Sequence, residues 1–159
     1  MTETERNTRS KALLAQRTTT VVGAVFLIVG VLGFIPGITT HYDQLQFAGH
    51  HSTAQLFDVF TVSVLHNLVH LLFGVVGVIA ARYPGGARAY LMIGGLVYLI
   101  LCVYGLGTDS AGAPNFVPVN DADNWLHLGL GVGMIALGIG CTALDRRRGD
   151  FPPQDVRKV

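Results

Sequence analysis

Four stretches of near-unbroken apolar residues divide the chain, at about 18–35, 63–81, 87–106 and 123–144. Each is apolar on every face, unlike the one-sided stripe of a helix in a soluble bundle. About 20 apolar residues in a helix cross a hydrocarbon core of roughly 30 Å. The pattern therefore predicts four transmembrane helices. Pro36-Gly37 closes the first, Arg82-Tyr83-Pro84-Gly85-Gly86 stops the second, and Asp145 with Arg146, Arg147 and Arg148 ends the fourth. The expected fold is an all-α membrane protein made of two tandem helical hairpins. A polar tail covers 1–17, outer loops 36–62 and 107–122, and a basic tail 145–159; the first outer loop is the longer.

Composition agrees. Of 159 residues, 50% are hydrophobic and 13% charged, and the mean hydropathy is +0.48. Soluble domains carry about 25% charged residues, so half of the usual polar coat is missing. An ordinary soluble enzyme, a disordered chain and a disulfide scaffold are thereby excluded.

Charge placement adds a direction. All Lys and Arg fall before the first span, between the second and third or at the very start of the third (Arg82 and Arg88), or after the fourth. The first outer loop and the segment before the fourth span hold Asp43, Asp58, Asp109, Asp121 and Asp123 but no basic residue. The positive-inside rule then places both termini and the middle turn in the cytoplasm. Arg17 ahead of an apolar run also fits a signal peptide, but no small-residue cleavage site follows, so the first span is expected to stay. Trp125, Tyr42 and Tyr104 read as interfacial anchors.

A repeat runs through the hairpins. Asn67-Leu68-Val69-His70-Leu71 and Asn124-Trp125-Leu126-His127-Leu128 share the frame N-x-x-H-L-x-x-G-V at an offset of 57. At an offset of 72, Gly23 pairs with Gly95, Gly30 with Cys102 and Gly33 with Gly105. The repeated positions have heptad spacing and predict seams facing other helices. Ser63, Asn67, His70, Gly74 and Gly77 line the second span; Asn120, Asn124, His127, Gly131, Met134, Gly138 and Cys141 line the fourth. Gly23, Gly30 and Gly33 fit on the first, and Gly95, Tyr98, Cys102 and Gly105 on the third. Small residues at such seams let backbones approach closely in lipid.

These paired motifs resemble an uncharacterised bacterial membrane family, domain-of-unknown-function family 4383. Its wording is also visible in residues 33–39, in Phe47-Ala48-Gly49, and most specifically in residues 62–71. The resemblance covers residues 15–144 and implies a four-helix protein of the inner membrane of actinobacterium-like organisms. It implies no reaction, substrate or cofactor.

Candidate chemistry is confined to histidine. All six lie on the expected outer side: His41, His50 and His51 in the loop, and His66, His70 and His127 at helix ends. Ionisable groups inside a membrane span are functional candidates by default. Three readings compete. In one, neutral His70 and His127 hydrogen-bond across the bundle with Asn67 and Asn124, a structural polar cluster that fixes register. In the second, His66 and His70 share a helix face at i, i+4 and join His127 as metal ligands, with Asp121 or Asp123 beside them. In the third, His70 and His127 hold haem between facing helices, with Gly74 and Gly131 making room. His50-His51 reads as a solvated pair or an acid sensor, and Cys102 and Cys141 as seam residues too far apart to bridge.

No hydrolase motif is present, and the glycines at 129–133 have no strand or lysine that would make a phosphate loop. The sequence is expected to encode a non-enzymatic scaffold or accessory subunit of the cell membrane, without a resident cofactor or nucleic-acid partner. Its partners would be the bilayer and another membrane protein or a second copy. The first outer loop is expected to form a short strand or interfacial helix over the bundle mouth, or a docking surface. The alternative function is an outer-face metal- or haem-binding protein using His66, His70 and His127.

Overall fold

A computed structural model of the chain describes residues 13–108 and 116–149. Most of both tails and the middle of the second outer loop, residues 109–115, therefore lie outside the described residues. The described chain is mostly helical, with α1 Leu14–Leu32, α2 Val64–Ala80, α3 Pro84–Gly107 and α4 Asp121–Arg147. By length and composition α1, α3 and α4 are able to cross a membrane, while α2 is apolar but has only 17 residues. Large apolar side chains such as Val21, Ile28, Leu72, Ile93, Ile100 and Ile139 are exposed along the helices, as a surface in contact with lipid requires.

Helix ends depart from the hydropathy limits for local reasons. Pro84 does not extend the turn; it occupies the first position of α3, where its missing N–H and fixed φ cost nothing. At the same end of the bundle, α1 starts at Leu14 because the chain there has acceptors to reach. The Asp145 carboxylate, fully buried at the end of α4, accepts from the Leu14 N–H at 2.9 Å and the Ala15 N–H at 3.3 Å. An anion at a helix N-terminus satisfies orphan donors and complements the dipole. Gln16 donates to the carbonyl of Ala81 at 3.0 Å, and Thr19 to that of Ala87 at 3.1 Å. The start of α1 thus ties α3, α4 and the C-cap of α2.

The helices pair as two hairpins, α1 along α2 and α3 along α4, with much thinner contact between α2 and α3. Glycines set these approaches. A Cβ on Gly23 would stand 3.0 Å from the Gly74 carbonyl, and one on Gly95 would stand 2.7 Å from that of Gly131. Further out, a Cβ on Gly33 would collide with the Asn67 amide, and one on Gly105 with that of Asn124. Gly30 packs on Leu71, Gly77 on Tyr90 and Gly138 on Leu91 and Met92. Between the hairpins lies an apolar core of Phe26, Tyr90, Leu91, Tyr98 and Met134.

Of the two forms expected for the first outer loop, a short strand or an interfacial helix, the strand is found. The first outer loop forms a three-stranded antiparallel sheet, β1 Thr39–Thr40, β2 Gln55–Leu56 and β3 Phe60–Thr61, in that order. Register is set by Thr39 opposite Leu56 and Leu56 opposite Phe60. Buried Ala54, Leu56 and Val62 form its own small core against Val29 and Leu32 of α1. The sheet caps one end of the bundle.

Candidate functional site: a polar centre beneath the cap

Two helix N-termini frame the site. Ser63 caps α2 by accepting from the His66 N–H at 3.1 Å, and Asn120 caps α4 by accepting from the Asp123 N–H at 2.9 Å. Asn120 also donates to the Val59 carbonyl at 2.8 Å and the Thr61 hydroxyl at 3.0 Å. The side chain of Asp123 is 1% exposed, and it accepts from two backbone donors, the Thr61 N–H at 3.1 Å and the Asn120 N–H at 3.0 Å. A buried carboxylate needs such donors. Asp123 is therefore a clamp that holds β3 on α4.

His66 stands at the equivalent position of α2 and reaches the opposite way, to the backbone of Pro118. Proline has no N–H, so the bond can only run from the imidazole to the Pro118 carbonyl. His66 Nδ1 has no hydrogen-bond partner; with the proton of the neutral ring on Nε2, Nδ1 is a bare acceptor. His70 has the other tautomer. Its Nδ1 lies 3.0 Å from the His66 carbonyl and must carry the proton, which leaves Nε2 as the acceptor.

The rings of His66 and His70 stack with centroids 4.6 Å apart, and His127 lies 6.4 Å from His66. His127 Nδ1 is also buried without a partner, as is the Asn124 amide oxygen. The three histidines divide two small cavities. One, of about 190 Å³, opens between α1 and α4 beneath Phe57 and Phe60, and is also lined by Asn67 and Asp123. The other, of about 100 Å³, opens between α2 and α3 beside Leu65, Val69 and Leu101.

The structure thus gathers the three predicted histidines, but not as metal ligands. Ligands of one ion turn their ring nitrogens to a common point, whereas His66 and His70 present faces to each other. Among the described residues no group of three His, Cys, Asp or Glu side chains is placed to hold a metal ion. Phe26 and Tyr98 fill the room between His70 and His127 as a continuous run of rings, at 5.6, 5.5 and 5.4 Å.

The predicted hydrogen bonding of the polar cluster also changes. Asn67 does not bond a histidine; its amide donates 2.8 Å to the Gly33 carbonyl, joining α2 to α1 where a side chain on residue 33 would not fit. His41 and His50 line a separate, open recess of about 510 Å³, and the rings of His50 and His51 are 3.9 Å apart. Tyr104 accepts from the Phe116 N–H at 2.8 Å and so fastens the second outer loop, while Trp125 is 73% exposed. Cys102 and Cys141 are free, and Cys141 lies 3.4 Å from the Thr18 hydroxyl.

Fold and site define a four-helix protein with apolar helices compatible with a membrane, capped at one end over a buried histidine centre. The chain belongs to the family described as Domain of unknown function (DUF4383), whose model matches residues 16–140. Comparison with curated proteins and with solved structures gives no match.

Proposed function

We propose that this is a multi-pass protein of the bacterial cell membrane in which all four helices cross and both termini are cytoplasmic. The basic residues at the uncapped end support this orientation, with the short α2 completed by the polar cap above it. The two offsets support a fold made of two copies of one hairpin. The equivalent contacts Gly23–Gly74 and Gly95–Gly131 obey both offsets.

Within the membrane the protein acts as a non-enzymatic scaffold or accessory subunit. The observation that carries this reading is the cap. It is fixed to the bundle through Asp123 and Asn120, yet it exposes Phe47 at 65% and Phe116 at 60%. A bond from the Gly49 N–H to the Phe116 carbonyl, 2.7 Å, brings the two loops bearing these rings together. Exposed aromatic residues on a rigid support are the usual anchors of protein interfaces. The seam glycines are consumed inside the bundle, so the cap is the surface left for another membrane protein or a second copy.

Purification of the full chain in mild detergent tests this. The wild type is expected to run as a larger complex, and Phe47→Ser with Phe116→Ser to run as a single chain with unchanged thermal unfolding. A wild type that elutes alone overturns the reading.

A further inference from the structure

A polar cavity and an apolar groove follow one another along α1 and α4, a cleft in the order of an amphiphile's head and tail, with α2 forming part of the cavity wall. At the capped end lies the cavity of about 190 Å³, roofed by Phe57 and Phe60, with His66, His127 and Asp123 on its walls. One helical turn away, along the same two helices, runs an apolar groove of about 180 Å³ lined by Val21, Val25, Gly129, Gly133 and Leu137. Gly129 and Gly133 have nothing within 4 Å of the place a Cβ would take, so the groove floor is open.

The polar end states what it lacks. His66 is 8% exposed and His127 3%, and the Nδ1 atom of each is buried without a partner. A bare buried acceptor costs about 1–3 kcal/mol unless a donor reaches it. With the His66 proton on Nε2, its Nδ1 is such an acceptor. A hydroxyl or phenol O–H supplies such a donor. Neither cavity nor groove has a Lys or Arg on its wall, and the cavity has the carboxylate of Asp123. An anionic head group finds no counter-charge there.

We propose that this cleft binds a neutral, single-tailed membrane amphiphile, its hydroxyl or phenol head at His66 and His127 and its tail along Gly129 and Gly133. The inference rests on the helices being embedded in a bilayer, and it is independent of any partner on the cap.

The test uses the full chain in nanodiscs and hexadecanol with a photoactivatable diazirine in its tail. The control is the methyl ether of the same probe, which cannot donate. Labelling of α1 and α4 along the groove is expected to favour the alcohol by roughly fivefold or more, the effect of one net hydrogen bond. Unlabelled hexadecanol should compete with it. Gly133→Leu, which fills only open space, should abolish this preference with thermal unfolding unchanged, and His66→Phe should abolish it too; Gly129→Leu serves if Gly133→Leu fails to fold. Equal labelling by alcohol and ether, or a preference that survives both glycine variants, overturns the site and leaves only water or annular lipid in the cleft. Labelling of the exposed helix faces by the ether reports embedding on its own, so failure of the site and failure of the membrane reading are distinguishable.

Discussion

The two hairpins make the same contacts along their length and opposite ones at their capped ends. Gly74 and Gly131 each sit against the backbone of the preceding helix, and Asn67 and Asn124 each occupy the space left by a glycine. At the third helical position the hairpins part. α2 has His66, which donates to the carbonyl of Pro118; α4 has Asp123, which accepts from the N–H of Thr61. Thr61 and Pro118 are themselves separated by the repeat offset of 57, so each helix reaches for the same point on the other hairpin. A residue with an N–H meets an acceptor, and a residue without one meets a donor. What the hairpins share builds the bundle, and the one exchange between them builds the polar centre.

The shared part is the easier to break. Gly74→Ala places a Cβ 2.7 Å from the Leu27 backbone nitrogen, and Gly131→Ala places one 2.9 Å from the Gly95 carbonyl. Overpacking of this kind costs about 1–3 kcal/mol, so both variants should unfold at clearly lower temperature in the same detergent. Gly133→Ala, with open space around it, should lose nothing. Equal effects at all three positions would mean that the seam does not hold the hairpins.

A smaller, more local effect tests the exchange. His66→Asp would set a carboxylate against the Pro118 carbonyl, acceptor against acceptor, and leave a buried group unmatched. The expected loss is about 1–3 kcal/mol of stability. His66→Asn keeps a donor and should lose less. If the two substitutions are equivalent in a thermal unfolding series, the Pro118 bond does not matter.

Helices, hairpin pairing and seam glycines were legible because hydropathy and small-residue spacing report directly on lipid and on close approach. The histidines were identified as a group, but not their geometry. Ring orientation depends on the Pro118 and His66 carbonyls, which spacing does not reveal. A short strand in the first outer loop was legible, but not the three-stranded sheet, because its strands are two residues long and pair across the loop. Asp145 was read as the start of a polar tail. Its role depends on Leu14 and Ala15, some 130 residues earlier, and no local pattern records such a partner. The one available signal was an acid directly before three arginines, at the end of a seam that otherwise continues through Gly138 and Cys141.

Nitrogen-15 spectra of the imidazoles, taken on the full chain in lipid at neutral pH, probe the polar centre most directly. The account predicts two neutral rings of opposite tautomer on neighbouring turns: a proton on Nε2 of His66 and on Nδ1 of His70. The same tautomer on both rings, or a charged pair freely exchanging with water, would contradict it.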